Sequence, residues 1–443
     1  MQSKVFICTS VVLSIYFVCG LAWAPLYSNV RLSQRQRSEQ RRSTVAPASV
    51  VGSVEFASAC RLETEGFVPE AAEAFKALAY DAAVNCLGRV DSAPNHERAY
   101  IELRRGHLAV DGLGLLSDAA AHLRTALELD PGAAASLDFL GCILQTDTGD
   151  LTAAFECFAM ATATPGGANN PTINFHKAVA NDLSQNGLGD FSGASLAAIE
   201  SWRYAQAHFP GLLESSGKGL YNGTRSVLAA AIAHAEPLLT SQQPTMVLEF
   251  GVSFGKSLRM LADLSAEICG HNSRDSSGGT PPPAPPPAPH VTIAGFDTFT
   301  GLPEAWGNEP AGTYSTGGHL PPMPAGIQLV QGLFSDTLSP FLREQRCLHL
   351  NRHSAKPPVL ALANVDCDLY SATVDIMHAL GCARVVVPGS VLVFDEYFMY
   401  PGWQNDEYKA FQEACARFGW KYKYIAWSLS SKQVAVQITA VTA

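Results

Sequence analysis

Carboxylates stand at the ends of short apolar runs along the C-terminal half of the chain. Glu249 lies in MVLEF (246–250), Asp297 ends TIAGFD (292–297) and Asp366 ends VLALANVD (359–366). Asp395 and Glu396 end SVLVFDE (390–396), and Asp368 follows Asp366 in VDCDLYSAT. Runs this short and aliphatic read as buried parallel strands. In an open parallel sheet, ligands collect at the carboxyl ends of the strands, so Asp366, Asp368, Asp395 and Glu396 point to one rim. Crowded carboxylates repel each other, and either they keep their protons or a cation sits among them. Ligands that are all oxygen favour a hard ion such as Mg2+. Such an ion would bind a substrate hydroxyl and lower its pKa. The plainer reading, that an acid here caps the next helix, fits Asp368 best.

A glycine turn precedes the first helix of this region. VLEFGVSFGKS runs from Glu249 near the end of a strand through Gly251 and Gly255 to Ser257 at the start of KSLRMLADLSAEI. The glycines permit a tight turn and close approach of a ligand, although a bare strand-to-helix turn gives the same pattern. GxGxxG is absent, which argues against a nicotinamide-dependent dehydrogenase. Asp297 is placed to accept both hydroxyls of a ribose. Asp336, in GLFSDTL, is placed to accept from an adenine amino group or to cap the helix starting at Thr337. Glu249-x-Gly251-x-x-x-Gly255 resembles the first motif of class I methyltransferases, in which the acid lies near the cationic end of the cofactor.

These residues need a frame. MVLEF, TIAGFD, QLVQG (328–332), VLALANVD and SVLVFDE alternate with helical segments, which implies βα crossovers. YKYIAW (422–427) and QVAVQI (433–438) flank a polar SLSSK turn and read as a closing hairpin. Residues 219–443 are therefore expected to form an α/β doubly wound, Rossmann-like domain with an antiparallel strand near the sheet edge. Inside it, HNSRDSSGGTPPPAPPPAPH (271–290) reads as a solvated insertion. RCLHLNRHSAKPP (346–358) reads as a polar segment whose His349 and His353 are solvated rather than catalytic.

Residues 53–212 are rich in Ala and Leu at helical spacing and are expected to be all-α. DAAAHLRTALELDP ends at Pro131 and TAAFECFAMATATP at Pro165, 34 residues apart. That is the tetratricopeptide period, in which each helix pair buries its apolar face on a neighbour. Looser echoes end at Pro94 and Pro210. Two uses stand open: a concave surface for a protein or peptide partner, or a helical cap supporting the next domain.

Ahead of the helices, 1–22 carries an apolar run behind Lys4 and reads as a signal peptide. Residues 23–52 hold Arg31, Arg35, Arg37, Arg41 and Arg42 against Glu39, the composition of a transit peptide. With Ala22-Trp23-Ala24-Pro25 at the junction, the leader resembles that of algae with complex plastids, and the alternative is a secretory-pathway membrane anchor. After leader cleavage, no stable membrane insertion is expected. The net charge of −10 argues against a nucleic-acid-binding surface, although it leaves room for a local basic face. Eleven cysteines without a CxxC pair read as free thiols.

FDTFTGLPEAW, GLFSDTL, VDCDLYSAT and FDEYFMYPGWQNDEYKAF, in this order, resemble the macrocin O-methyltransferase family. The resemblance covers about half the chain. It implies a class I methyltransferase fold, S-adenosylmethionine as methyl donor and a divalent metal, usually Mg2+. Carried over, Asp366, Asp395 and Glu396 would hold the metal. Asp366 would also assist deprotonation of a hydroxyl on a small-molecule acceptor, a sugar among the candidates. Glu249, Gly251, Gly255, Ser257, Asp297 and Asp336 would bind the donor. Where relatives often have two aspartates after the fifth strand, this chain has Asp395-Glu396. The competing reading is an interaction protein whose repeats work above a degenerate methyltransferase scaffold.

Overall fold

The structure, a computed structural model, describes residues 93–110, 116–184, 189–209, 220–221, 223–269, 290–351, 356–429 and 432–442, with Ser58, Ala59, Arg61, Leu62, Ala71 and Ala74. The signal and transit segments read at 1–52, the Pro-rich stretch up to 289 and His353 lie outside the described residues.

Helices α1 (Ala93–Leu108), α2 (Leu116–Leu129), α3 (Ala134–Ile143), α4 (Leu151–Ala163) and α5 (Pro171–Ser184) pack each on the next, and α3 also meets α5. Pro131 and Pro165 fall just beyond α2 and α4, where a residue lacking an N–H cannot continue a helix. Asp150 caps α4, its carboxylate accepting from Ala153 N at 3.0 Å.

Helix α6 (Leu196–His208) turns away to the sheet. Trp202 lies with its ring centre 5.9 Å from that of Trp427, and its indole N–H donates to Asp182 Oδ2 at 2.8 Å. Asp182, on α5, also accepts from Gly189 N and Gln206 Nε2. One carboxylate thus ties the helical stack to α6, and α6 shares its core with the α/β part. Trp202→Ala is expected to cost about 3–5 kcal/mol in chemical denaturation. A loss below about 1 kcal/mol would mean that this contact does not dock the helix.

The α/β part runs β1 (Leu220–Tyr221), α7 (Thr224–Leu239), β2 (Thr245–Phe250), α8 (Lys256–Ile268), β3 (Val291–Asp297), β4 (Ile327–Gln331) and α9 (Phe334–Asn351). It continues through β5 (Val359–Val365), α10 (Tyr370–Ala383), β6 (Val391–Phe394), α11 (Glu407–Phe418), β7 (Trp420–Ser428) and β8 (Val434–Val441). The strands form one sheet in the order β1-β7-β8-β6-β5-β2-β3-β4. Strands β2 to β6 are mutually parallel, whereas β8 is antiparallel to both β6 and β7. The chain leaves β2 outward through β3 and β4, then crosses back to β5 and β6, as in a doubly wound, Rossmann-like sheet.

Alternate residues of β2 serve opposite faces. Met246, Leu248 and Phe250 join the core under α6, α9, α10 and α11, and Val247 joins the core under α7 and α8. As expected, the antiparallel strand is near the edge: β8 is third from the end of the sheet, with only β7 and the short β1 beyond it. One expectation is corrected. The polar segment begins as helix, because α9 continues to Asn351 and includes His349. Among the described residues no helix is long and apolar enough to cross a membrane. The described cysteines are free.

Candidate active site at the carboxyl rim of the sheet

The winding reverses between β2 and β5, and a cleft opens at their carboxyl ends. Asp366 N donates to Phe250 O at 2.8 Å and Asp395 N to Val365 O at 2.9 Å, so β2, β5 and β6 stay laddered to their tips. Gly251 follows β2 at φ 91, and a Cβ there would lie 1.6 Å from the Asp366 carbonyl oxygen. Only glycine permits that approach. The cleft measures about 420 Å³, within the range of small-molecule sites. Its walls come from Gly251 and Ser253, from Asp297, Thr298 and Gly301 to Glu304, from Gly332 to Ser335, from Asp366 to Leu369, and from Asp395 and Glu396.

Asp297 lines the cleft, but its oxygens already serve the backbone. Oδ2 accepts from Val252 N and Ser253 N, both at 2.8 Å, and Oδ1 accepts from Phe299 N at 2.7 Å. A carboxylate has about four acceptor sites. Asp297 therefore holds the glycine turn in place and has little capacity left for two ribose hydroxyls.

Glu249 does not reach the cleft. It is fully buried, with Oε1 accepting from Nδ2 of Asn364, its neighbour on β5, at 2.9 Å. Burial pushes its carboxyl up to about 8, with the neighbouring Ser257 hydroxyl and Asn364 amide opposing, and with Asp297 and Asp395 adding to the rise. It is thus mostly protonated at neutral pH and offers a cation little charge. The unfolded chain releases this proton above the model-peptide range near pH 4.5, and the folded chain keeps it to about pH 8. The associated stability is present below the lower value and is lost as pH rises to the upper one, at up to about 1.4 kcal/mol per pH unit. Glu249→Gln is therefore expected to gain thermal stability over the wild type progressively from pH 5 to pH 8. Parallel melting curves for the two proteins across that window would refute this.

Asp366, Asp368, Asp395 and Glu396 do meet at the rim. Burial raises the Asp366 carboxyl well above the usual range, and Asp395 and Asp368 raise it further. Asp368 is pushed up to about 8 by burial and then by Glu396 and Asp395, with Lys432 opposing. Burial lifts Glu396 to about 7 against the pull of Lys432, whose Nζ donates to both of its oxygens at 3.2 and 3.0 Å. Asp395 accepts from Gln433 Nε2. Helix α10 begins without a side-chain cap, so Asp368 faces the cleft rather than capping.

Neither a family model nor a curated protein matches the chain. An O-GlcNAc transferase mutant from Thermobaculum terrenum is similar to it at 13% identity, over 74% of this chain and 52% of that one, with a TM-score of 0.26. The chain spans about half of that protein's length, and a score this low carries nothing about fold or activity.

Of the residues singled out in the sequence, Gly251, Asp297, Asp366, Asp368, Asp395 and Glu396 line the cleft. Gly255 caps α8 in the left-handed conformation, Ser257 lies in that helix's first turn beside Glu249, and Asp336 is exposed in the first turn of α9. The corrected wall near Asp336 is Leu333, Phe334 and Ser335. Two residues went unread. Glu407, fully buried at the start of α11, accepts from Cys367 N at 3.5 Å and Glu396 N at 3.3 Å and so clamps the β5 and β6 tips together. Lys432 brings a positive charge to the acids from the β7–β8 turn.

Proposed function

We propose that the α/β part is an S-adenosylmethionine-dependent O-methyltransferase acting on a small-molecule hydroxyl. The observation that carries this reading is the charge of the cleft. Asp297, Glu304, Asp366, Asp368, Asp375, Asp395 and Glu396 line it, and no basic side chain is among the described lining residues. A sulfonium and an amino group suit such walls, whereas a pyrophosphate would be repelled. The position at the switch point of a doubly wound sheet with a terminal antiparallel hairpin supports the same reading.

In this reading the methyl carbon leaves the donor sulfur and bonds to the acceptor oxygen, and the hydroxyl proton passes to a carboxylate. Asp366 is the base: it lines the cleft just past the end of β5, and burial and the neighbouring acids hold its carboxyl above the usual range, which favours taking up a proton. Gly251 lets the donor approach the backbone, and Asp297 keeps that turn rigid. The oxygen donors suit Mg2+ in chemistry. In spacing they are not closed around an ion: the one described trio of potential ligand side chains within 4.8 Å of one another lies elsewhere, and Glu396 is held by Lys432. Asp366 and Asp395 are therefore the residues that would hold Mg2+, with Glu396 remaining in its ion pair. The chemistry such an ion would supply there is polarisation of the acceptor hydroxyl.

We further propose that α1 to α5 form tetratricopeptide-like repeats presenting a surface to a protein or peptide. The 34-residue spacing and the packing of consecutive helices support this. The test of the enzymatic reading is S-adenosylhomocysteine release by the full chain with a panel of sugars and other polyols, with and without Mg2+. Release that depends on an acceptor is expected. No release with any acceptor, from folded protein that binds its partner through the helices, would favour the interaction-protein reading. Turnover unchanged by chelator would remove the metal from the account.

A further inference from the structure

We propose a second metal site, far from the rim in sequence, formed by Asp138, Cys142 and His176 and taking Zn2+. Asp138 and Cys142 stand one turn apart on α3, and His176 lies on α5. Cys142 and His176 are 34 residues apart, one full period of the helical repeat, so the site would join equivalent positions of successive repeats. All three side chains are buried, with residue exposures of 3%, 5% and 2% respectively.

Their ligand atoms converge on one point. His176 Nδ1 lies 2.9 Å from Asp138 Oδ1 and 3.5 Å from Cys142 Sγ, and all three atoms fall within 4.8 Å of one another. As hydrogen bonds this is an incomplete arrangement, because one ring nitrogen carries one hydrogen or one lone pair and cannot satisfy both neighbours. Around Zn2+, with bonds of about 2.0–2.3 Å, the edges of a tetrahedron are about 3.3–3.6 Å. The two separations from His176 Nδ1 reach that spacing with shifts of a few tenths of an ångström, and the third pair lies within 4.8 Å. A thiolate and a carboxylate also match the charge of a divalent cation, leaving a neutral buried site. Mixed N, O and S donors favour Zn2+ over Mg2+.

A second observation points the same way. Gln145 follows on the same face, three residues after Cys142, at 1% exposure, and both of its amide atoms lack a hydrogen-bond partner. Its oxygen is the candidate for the fourth coordination position. It sits in the π-helical turn Leu144–Thr148, an irregularity that often accompanies functional sites.

The experiment uses the full chain. Zinc is measured after dialysis, and Co2+ is titrated as a spectroscopic probe of thiolate ligation. One tightly held zinc per chain is expected, together with a cobalt–thiolate charge-transfer band. Both should vanish in Cys142→Ser and persist in Asp366→Asn, which separates this site from the rim. Zinc should raise the melting temperature of the wild type and not that of Cys142→Ser. Folded wild-type protein without stoichiometric zinc or a thiolate band overturns the proposal, as does a band that survives in Cys142→Ser. Should Cys142→Ser fail to fold, Gln145→Ala serves, with weakened zinc retention expected and unchanged retention counting against the fourth ligand.

Discussion

Asp366→Asn is expected to lower methyl transfer by about 10²–10⁴-fold while leaving the chain at least as stable as the wild type. Asparagine keeps the side-chain shape and the backbone bond from residue 366 to Phe250, but it cannot accept the acceptor's proton. It also removes one of several mutually repelling carboxylates, whose crowding raises Asp366 and Asp368. Activity and stability should therefore move in opposite directions, a pattern that simple unfolding does not give. Wild-type turnover should climb with pH through a value well above that of an ordinary aspartate, since the base acts only when deprotonated. The variant should lose that limb. Turnover rates and thermal melts on the same preparations check both statements, and an Asp366→Asn enzyme within threefold of wild type would exclude Asp366 as the base.

Gly251→Ala is expected to be the most damaging single methyl addition at the site. The new Cβ would meet the Asp366 carbonyl oxygen at 1.6 Å, so the β2 and β5 tips must part or the turn must rearrange. Strain at positive φ accounts for about 1–2 kcal/mol, and the clash should bring the total to roughly 4 kcal/mol or more. Gly312→Ala is the matched control, because Gly312 has φ 87 and nothing within 4 Å of an added Cβ. Chemical denaturation should show a large loss for the first and only the strain cost for the second. Equal losses would mean that backbone conformation, not the closeness of the strand ends, makes Gly251 necessary.

The strands were legible because buried parallel strands leave continuous apolar runs, and β2 to β6 fall within a few residues of those runs. The acids at their ends were legible for the same reason. What the acids do was not. Asp297 spends itself on three backbone N–H groups that exist only once the glycine turn has folded. Glu249 looks in sequence like a ligand-facing acid, yet strand alternation puts its side chain on the buried face it shares with Val247, beside Asn364 of β5. Glu407 resembles any acid in a first helical turn, and Lys432 any lysine in a polar hairpin. Their partners are 40 and 36 residues away. The closing hairpin with its antiparallel strand near the edge was legible, but which of its strands lies inward was not, since YKYIAW and QVAVQI are alike in pattern. Helix α6 reads as one more Ala-rich helix, and contacts visible only in the fold, among them Trp202 with Trp427 and Tyr204 with Tyr424, assign it to the sheet.

The central claim is that the acidic cleft between β2 and β5 holds the methyl donor. Isothermal titration of S-adenosylhomocysteine into the full chain tests it without needing the acceptor or the metal. Saturable heat with one site per chain, competed away by S-adenosylmethionine and not by a dinucleotide, is the result expected. A chain shown to be folded by circular dichroism that gives no heat at millimolar ligand would contradict the account.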